Sequence, residues 1–454
     1  MEFIFCAELT CVSQRTDATI LANEHSNMPL PRLEPLKSPQ IQPLHFLVVE
    51  DQDAQREALG RMLELLGAAR VHLAADGDTA LAVLRNRDHR VDVIVNALDM
   101  PGMDGLEFIR HVGLENLPLS VILASRLDRP LIAAVETMTA AYGVKVLGVI
   151  EKPVTAEKLI AAFTPHVPVI ERRAESRPLS LVAQTPSKPT FPLQEIVKGL
   201  ANDEFEPFFQ PKVEMATGRI VGAKALARWR HREMGKVEAD AFITPLEASG
   251  QIDELTWVML KKAAACCTSW RAANVDATVS VRLALPSLCN PALADRVTEL
   301  VCGQELEPRY VVLEVTGAAG AIQSGSALEN LARLRLRGFQ LSVEDCGTGE
   351  SSIKQLSRIA FTEIKIDRDF ARNASGDEAS RTQFLAMLAA ARTRGIDSVA
   401  EGVETQADWD LVLALGCDIA QGFFVAAPME AAAYLDWAPR QSHWTPTYAV
   451  ENSQ

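Results

Sequence analysis

A set of charged residues in the C-terminal half of the chain falls at or just after the ends of apolar runs. Lys224 follows IVGA, Arg282 follows TVSV, Glu314 follows YVVL, Glu344-Asp345 follow QLSV, Lys365 lies in EIKID, and Glu401 follows SVA. Clustered carboxylates can hold divalent ions, which neutralise a phosphodiester and turn a bound water into a nucleophile. A lysine or arginine in the same ring works against that chemistry, because like charges repel. A second group stands in the N-terminal half: Glu50-Asp51 after HFLVV, Ser125 at the end of LSVILAS, and Lys152 shortly after VLGVI. Paired acids there suit Mg²⁺, a hard cation that takes oxygen ligands.

These residues need elements to hold them. From His45 the chain reads HFLVV, then an amphipathic DAQREALGRMLELLG, VHLAA, DGDTALAVLRNR, VDVIVNAL, GLEFIRHV, LSVILAS and VLGVI. Short apolar runs alternating with helical periodicity predict a five-stranded, doubly wound parallel sheet over residues 44–165. The alternation resumes over residues 191–436 with FEPFFQPKVE, IVGAKALARW, TVSVRLA, YVVLEVTG, QLSVEDCG, EIKID, SVAEGV and IAQGFFV. This series predicts a (β/α)₈ barrel, so the fold class is α/β throughout. In both architectures the chemistry gathers at the carboxyl ends of the strands. Residues 1–43, with five prolines from Pro29 to Pro43, read as an extension without fixed structure. Residues 166–190 read as a linker and residues 437–454 as a polar tail.

Composition narrows the function. The net charge of −14 argues against a broad nucleic-acid-binding surface. No stretch reaches the roughly 20 apolar residues of a membrane-spanning helix, and MEFIFCAELTCVSQR lacks the basic start of a signal peptide. A cytoplasmic protein with no membrane or nucleic-acid partner is expected. The cysteines are scattered without zinc spacing and read as reduced thiols, Cys266-Cys267 as buried ones. Trp229, Trp257, Trp270 and Trp409 read as core residues rather than as platforms for stacking bases.

Residues 44–165 resemble a response-regulator receiver domain, on Glu50-Asp51, MPGMDG at 100–105, Ser125 and Lys152-Pro153. The resemblance implies a Mg²⁺ site at the two acids, with the hydroxyl and the lysine contacting an acyl phosphate on a third acid. That third position is Ala97, which carries no nucleophile. No phosphoryl transfer is expected at it, and Lys152 is expected to pair with the acids. Asp99, in the loop that follows, is poorly placed to stand in, since this chemistry tolerates little misplacement.

Residues 191–436 resemble the EAL domain of cyclic di-GMP phosphodiesterases. The resemblance rests on Gln210-Pro211-Lys212, Leu226, Arg228-Trp229, Glu314 in LEVTG, Asp345-Cys346-Gly347-Thr348-Gly349, Lys365 in IKID, Glu401-Gly402-Val403-Glu404 and Gln421-Gly422-Phe423. It implies metal ligands at Glu314, Glu344 and Asp345, catalytic roles for Glu401 and Lys365, and nucleotide contacts from Gln210, Leu226, Arg228 and Gln421. The chain departs from the family at its centre. The signature glutamate is Lys224, the asparagine of the next strand is Arg282, and the first aspartate of a pair is Glu344. Cys346 replaces a loop phenylalanine, and Gly317 a glutamate.

A single positive charge about 4 Å from a divalent ion repels it by roughly 8 kcal/mol at an effective dielectric of 20. Lys224 and Arg282 are therefore expected to pair with the acids and fill the metal positions. The sequence then reads as a non-hydrolytic signalling regulator and homo-oligomer, with an unnamed protein partner. It acts as a protein-interaction module or as a metal-independent cyclic di-GMP receptor in which Lys224 and Arg282 take the metals' place against the nucleotide phosphates, with a lean toward a pocket closed by its own salt bridges. The alternative is a weakly active cyclic di-GMP phosphodiesterase, and Mg²⁺ or Mn²⁺ enters as cofactor only on that reading.

Overall fold

The structure, a computed structural model, describes residues 38–163, 191–315, 322, 324–344, 359–367, 378–441 and 444. The linker expected over 166–190 lies outside the described residues, as do most of the extension and of the tail. The end of the expected extension is docked rather than loose: Ile41 is buried in the first domain's core, and the Ser38 amide donates to Leu66 O at 3.1 Å.

The first domain runs β1 (His45–Val49), α1 (Asp53–Leu65), β2 (Arg70–Ala74), α2 (Gly77–Arg85), β3 (Val93–Ala97), α3 (Gly105–Leu114), β4 (Ser120–Ser125), α4 (Arg129–Ala141), β5 (Lys145–Glu151) and α5 (Ala156–Ala162). The strand order is β2-β1-β3-β4-β5, all parallel. Strand β3 is buried along its whole length, as a parallel sheet covered by helices on both faces requires. Helix starts follow their side chains. Asp76, Asp104, Asp128 and Thr155 each accept a backbone N–H of the first turn, satisfying donors the helix leaves orphaned.

The second domain opens with α6 (Leu193–Ala201), followed by β6 (Phe205–Glu214), β7 (Ile220–His231), β8 (Gly235–Val237), α7 (Ile243–Ala248), α8 (Ile252–Ala272), β9 (Thr278–Leu283), α9 (Leu293–Cys302) and β10 (Val311–Val315). Then come α10 (Gly325–Leu336), β11 (Gln340–Val343), β12 (Glu363–Ile366), α11 (Glu378–Arg394), β13 (Asp397–Ala400), α12 (Gln406–Leu415), β14 (Ile419–Gln421) and α13 (Ala431–Trp437). Strand β6 pairs with both β7 and β14, closing an eight-stranded barrel, while β8 adds a hairpin to β7. The eight strand candidates of the sequence are the eight barrel strands.

One feature differs from a plain (β/α)₈ barrel: β6 runs antiparallel to both neighbours. The turn from β6 to β7 is far shorter than the dozen or more residues a parallel crossover needs. Helix α6 sits under this strand pair, where Gly199 gives the Trp229 ring its place; a Cβ there would lie 2.7 Å from the indole nitrogen. Trp229 stacks on Phe205 at 5.2 Å, and Trp257, Trp270 and Trp409 are also buried, in line with the structural reading of the tryptophans. Cys267 is buried, with a thiol pushed up to about 12 by burial, while Cys266 is half-buried.

Candidate functional site

Residues from five strands converge on one point of the barrel. Strand β7 delivers Lys224, opposite Gln210 of β6 and beside Ser280 of β9. Glu314 comes from β10, Glu344 follows β11, Lys365 comes from β12 and Glu401 follows β13. The amides of Glu344 and Glu401 donate to Val315 O and Ile366 O, each at 3.0 Å, so both carboxylates leave from fixed backbone.

The Lys224 ammonium lies 2.5 Å from Glu344 Oε1, 3.0 Å from Glu401 Oε1 and 3.4 Å from Glu314 Oε2. Lys365 Nζ meets the same three acids: it is ion-paired with Glu314 Oε1, 3.0 Å from Glu401 Oε1 and 3.5 Å from Glu344 Oε1. Among the described residues this is a closed cluster of two ammoniums and three carboxylates. Lys365 and Glu314 are fully buried. Glu314 meets both lysines as ion pairs off the hydrogen-bonding directions of its oxygens.

The electrostatics keep both lysines and the Glu314 and Glu401 carboxylates charged. Burial alone would pull the Lys224 pKa down, but Glu314, Glu401 and Glu344 outweigh it and hold the ammonium well above its usual range. Lys365 is raised in the same way, against burial, by Glu314 and Glu401. Burial would raise the Glu314 and Glu401 carboxyls, yet Lys224 and Lys365 bring both below the ordinary value. The set therefore compensates most of its own charge, two ammoniums against three carboxylates. It does not fit a divalent metal: an ammonium that keeps its proton sits within 3.4 Å of each of the three described acids a metal would need. Asp345, Cys346 and Gly317 lie outside the described residues.

Arg282 corrects the sequence expectation. It neighbours Glu314 in register, yet its side chain turns out of the ring and pairs with Glu247 of α7 at 3.3 Å. Both partners are about 45% exposed, so this is a surface pair at the rim. Two ammoniums already share the oxygens of the three acids. A guanidinium with five donors would have to give up its water for acceptors already engaged. It was Lys365 that joined Lys224 inside.

Beside the cluster lies a cavity of about 280 Å³ lined by Gln210, Lys224, Leu226, Asp367, Glu401, Gly402 and Gln421. Gln421 Nε2 donates to Gln210 Oε1 at 3.0 Å, while the amide oxygen of Gln421 is buried without a hydrogen-bond partner among the described residues. Gly422 lets the ends of β13 and β14 touch, because a Cβ there would fall 2.0 Å from Val403 O. Arg228 is not part of this lining. It is buried, ion-paired with Glu238 at 2.8 Å and donates to Ala227 O. Glu247 and Glu238, the partners that set both arginines, carried no signal in the sequence.

In the first domain, Lys152 Nζ donates to Glu50 Oε2 at 2.6 Å, next to the buried Ser125 and Ala97. The expected lysine–acid pair is thus present at Glu50. Asp51 is half-buried, and its carbonyl accepts from Arg56 Nη1, as does that of Glu50. The Asn96 side chain is taken up by the start of α3, donating to Gly105 O at 3.1 Å. Asp99 is exposed and lines a cavity against Arg333 and Arg337 of the barrel domain.

A receiver-type sheet joined to a barrel with acids gathered at its strand ends defines a two-domain signalling class. Residues 46–164 match the response regulator receiver domain family, and residues 193–428 match the EAL domain family. The chain is 33% identical over 395 residues to the cyclic di-GMP phosphodiesterase RocR of Pseudomonas aeruginosa, covering 87% of this chain and 98% of RocR. It is 31% identical over 244 residues to the bifunctional diguanylate cyclase/cyclic di-GMP phosphodiesterase MucR of the same organism, covering 54% of this chain and 36% of MucR. The solved structure of the PaMucR phosphodiesterase in complex with c-di-GMP superposes with a TM-score of 0.51 at 31% identity, covering 53% of this chain and 98% of that one. The chain belongs to the receiver–EAL family of the cyclic di-GMP phosphodiesterase type. Phosphodiesterases of this family depend in general on divalent metal. Among the described residues no helix is long and apolar enough to cross a membrane.

Proposed function

We propose that this chain is a non-hydrolytic member of its family, a regulator whose barrel holds two lysine ammoniums where the family's chemistry needs metal. One observation carries the reading: the Lys224 ammonium lies within 3.4 Å of Glu314, Glu344 and Glu401 at once. A carboxylate at position 224 would add a ligand. The lysine adds a charge that repels the ion and takes up the remaining ligands. The first domain reads the same way. Ala97 offers no acceptor, and Lys152 is engaged by Glu50. Residues 44–165 and 191–436 are proposed as the two functional units. The chain is proposed to act as a homo-oligomer on a protein partner.

The test is conversion of cyclic di-GMP to the linear dinucleotide with Mg²⁺ or Mn²⁺, with Glu401→Ala as the control for contaminating activity. No conversion above that control is expected. Metal-dependent conversion that Glu401→Ala removes overturns the reading in favour of a weak phosphodiesterase.

A metal-independent cyclic di-GMP receptor is the branch favoured by Arg282. The guanidinium stands at the rim, and only a half-exposed surface pair holds it, so turning toward a phosphate costs little. Gln210, Leu226 and Gln421 line or close the adjoining cavity. Calorimetric titration of the full chain with cyclic di-GMP in the presence of a chelator tests this branch. Binding that Arg282→Ala weakens supports it; absence of binding leaves the protein-interaction module.

A further inference from the structure

We infer that the face of the receiver formed by α3 and α4 is a fixed clamp on α10. Through α10 it sets the two strands that carry Glu314 and Glu344, without any phosphorylation step. The inference stands whether or not the barrel hydrolyses a nucleotide.

Helix α10 leads from β10, the Glu314 strand, to β11, which Glu344 follows. Two of its side chains carry charges that are almost fully buried, Glu329 at 2% and Arg333 at 3% exposure. The described partners of Glu329 both come from the receiver. Arg110 Nε of α3 donates to it at 3.1 Å, and the Tyr142 hydroxyl, just after α4, donates at 2.6 Å. Arg333 bridges the domains: its Nε donates to Asp104 at 2.7 Å and its Nη2 to Asp295 of α9 at 3.1 Å. Asn330, on the adjoining face of the helix, ties it to the barrel, accepting from the Ala294 amide and donating to Leu288 O. Helix α10 is thus fastened to both the barrel and the receiver.

Apolar packing extends the contact to the far side of the site. Leu131 and Ala134 of α4 form a buried cluster with Ala360, which leads into β12, the Lys365 strand. Gly325 gives the Tyr142 ring its room, since a Cβ there would lie 2.8 Å from a ring carbon. The receiver therefore touches the chain on both flanks of the segment that starts with Asp345.

The charges make this a joint with one setting. A carboxylate brought out of water by docking is costly unless its hydrogen bonds are remade. A dock shifted by one helical turn would separate Glu329 from Tyr142 and Arg110 and leave it buried and alone. Buried ionic contacts of this kind specify an arrangement more than they add stability. Asp104 is the pivotal residue. It belongs to MPGMDG, the loop after the strand that ends in Ala97, and it both caps α3 and holds Arg333. Where a phosphorylated receiver would reset this loop, here the barrel's own arginine holds it.

The test uses the full chain and Asp104→Asn. Asparagine caps a helix as well as aspartate does, so α3 keeps its cap while Arg333 loses the nearest of its charged partners. Amide hydrogen exchange is read at Glu344 and Glu401, whose N–H groups bond Val315 O and Ile366 O. Loss of a charged hydrogen bond predicts exchange faster by about 10-fold or more at Glu344, falling off toward Glu401. Exchange in β1 and β3 of the receiver should stay unchanged. Tyr142→Phe, which removes only a hydroxyl, should give a smaller change at the same amides. Faster exchange confined to α3, α4 and α10, with Glu344 as in the parent, overturns the inference. If Asp104→Asn loosens the whole chain, Tyr142→Phe decides: unchanged exchange at Glu344 overturns the inference there too.

Discussion

Removing the Lys224 charge should invert the pH dependence of the barrel's stability. The substitution is Lys224→Met, which keeps an unbranched side chain one atom shorter and deletes the ammonium. At the observed separations each ion pair is worth about 5 kcal/mol at an effective dielectric of 20. Most of that offsets the cost of taking the ammonium out of water, so the net loss expected at pH 8 is about 3–5 kcal/mol. In the parent chain Glu314 and Glu401 are held below the ordinary value of 4.5. Their contribution to stability is therefore present above 4.5 and lost as the pH falls through the folded value. In Lys224→Met one ammonium faces three carboxylates. Burial, the largest single influence on both acids, then prevails and raises them. An acid raised in the folded state stabilises below 4.5 and loses that contribution as the pH rises toward the folded value.

The variant should thus unfold at a higher urea concentration at pH 5 than at pH 8, a trend absent from the parent. The assay has a natural probe. All six tryptophans lie between Trp229 and Trp444, so their fluorescence reports the barrel and not the receiver. A loss below about 0.5 kcal/mol at pH 8, the range of ordinary surface substitutions, would refute the claim that Lys224 is the counter-charge of this cluster. So would a pH trend matching the parent's.

Three other outcomes are expected. Lys224→Glu should leave the barrel less stable than the parent without metal, and millimolar Mn²⁺ should raise its urea midpoint while leaving that of the parent unmoved, since only a bound ligand stabilises by mass action; equal response in both chains contradicts the proposed site. Incubation with acetyl phosphate and Mg²⁺ should add no phosphoryl group to the receiver by intact mass, because Ala97 has no nucleophile; a stable adduct at Asp99 would reverse that reading. Gly422→Ala should lower the tryptophan-reported unfolding free energy by about 1–3 kcal/mol, the usual cost of overpacking, because its Cβ meets Val403 backbone rather than a side chain that can turn away; a neutral result would show that the β13–β14 junction gives way easily.

Much of the site was legible because strand phase is a local property. Residues alternate across a strand, so a charged residue ending an apolar run starts at the barrel's mouth, even where its side chain then turns outward as Arg282 does. That places Lys224, Glu314, Glu344, Lys365 and Glu401 together without any coordinates. The receiver pair of Lys152 and Glu50 follows from the same logic on β5 and β1. The antiparallel entry of β6 was equally present in the short turn before β7, but eight alternating elements suggested a uniform barrel.

What the sequence by itself determined is which charges reach the mouth of the barrel, and its family resemblance supplied the expectation that Ala97 and Lys224 stand where an acceptor and a metal ligand would be. Only the tertiary structure decided how those charges divide. Lys224 and Lys365 go inside together, while Arg282 turns out to Glu247, a residue of a helix no local pattern links to it. The tertiary structure also decided that α10 is shared, with Glu329 completed by Arg110 and Tyr142 of the other domain. The reason is the same in both cases. A strand fixes where a side chain starts, but a long flexible ion settles wherever the sum of desolvation and pairing is lowest, and that sum runs over neighbours distant in sequence.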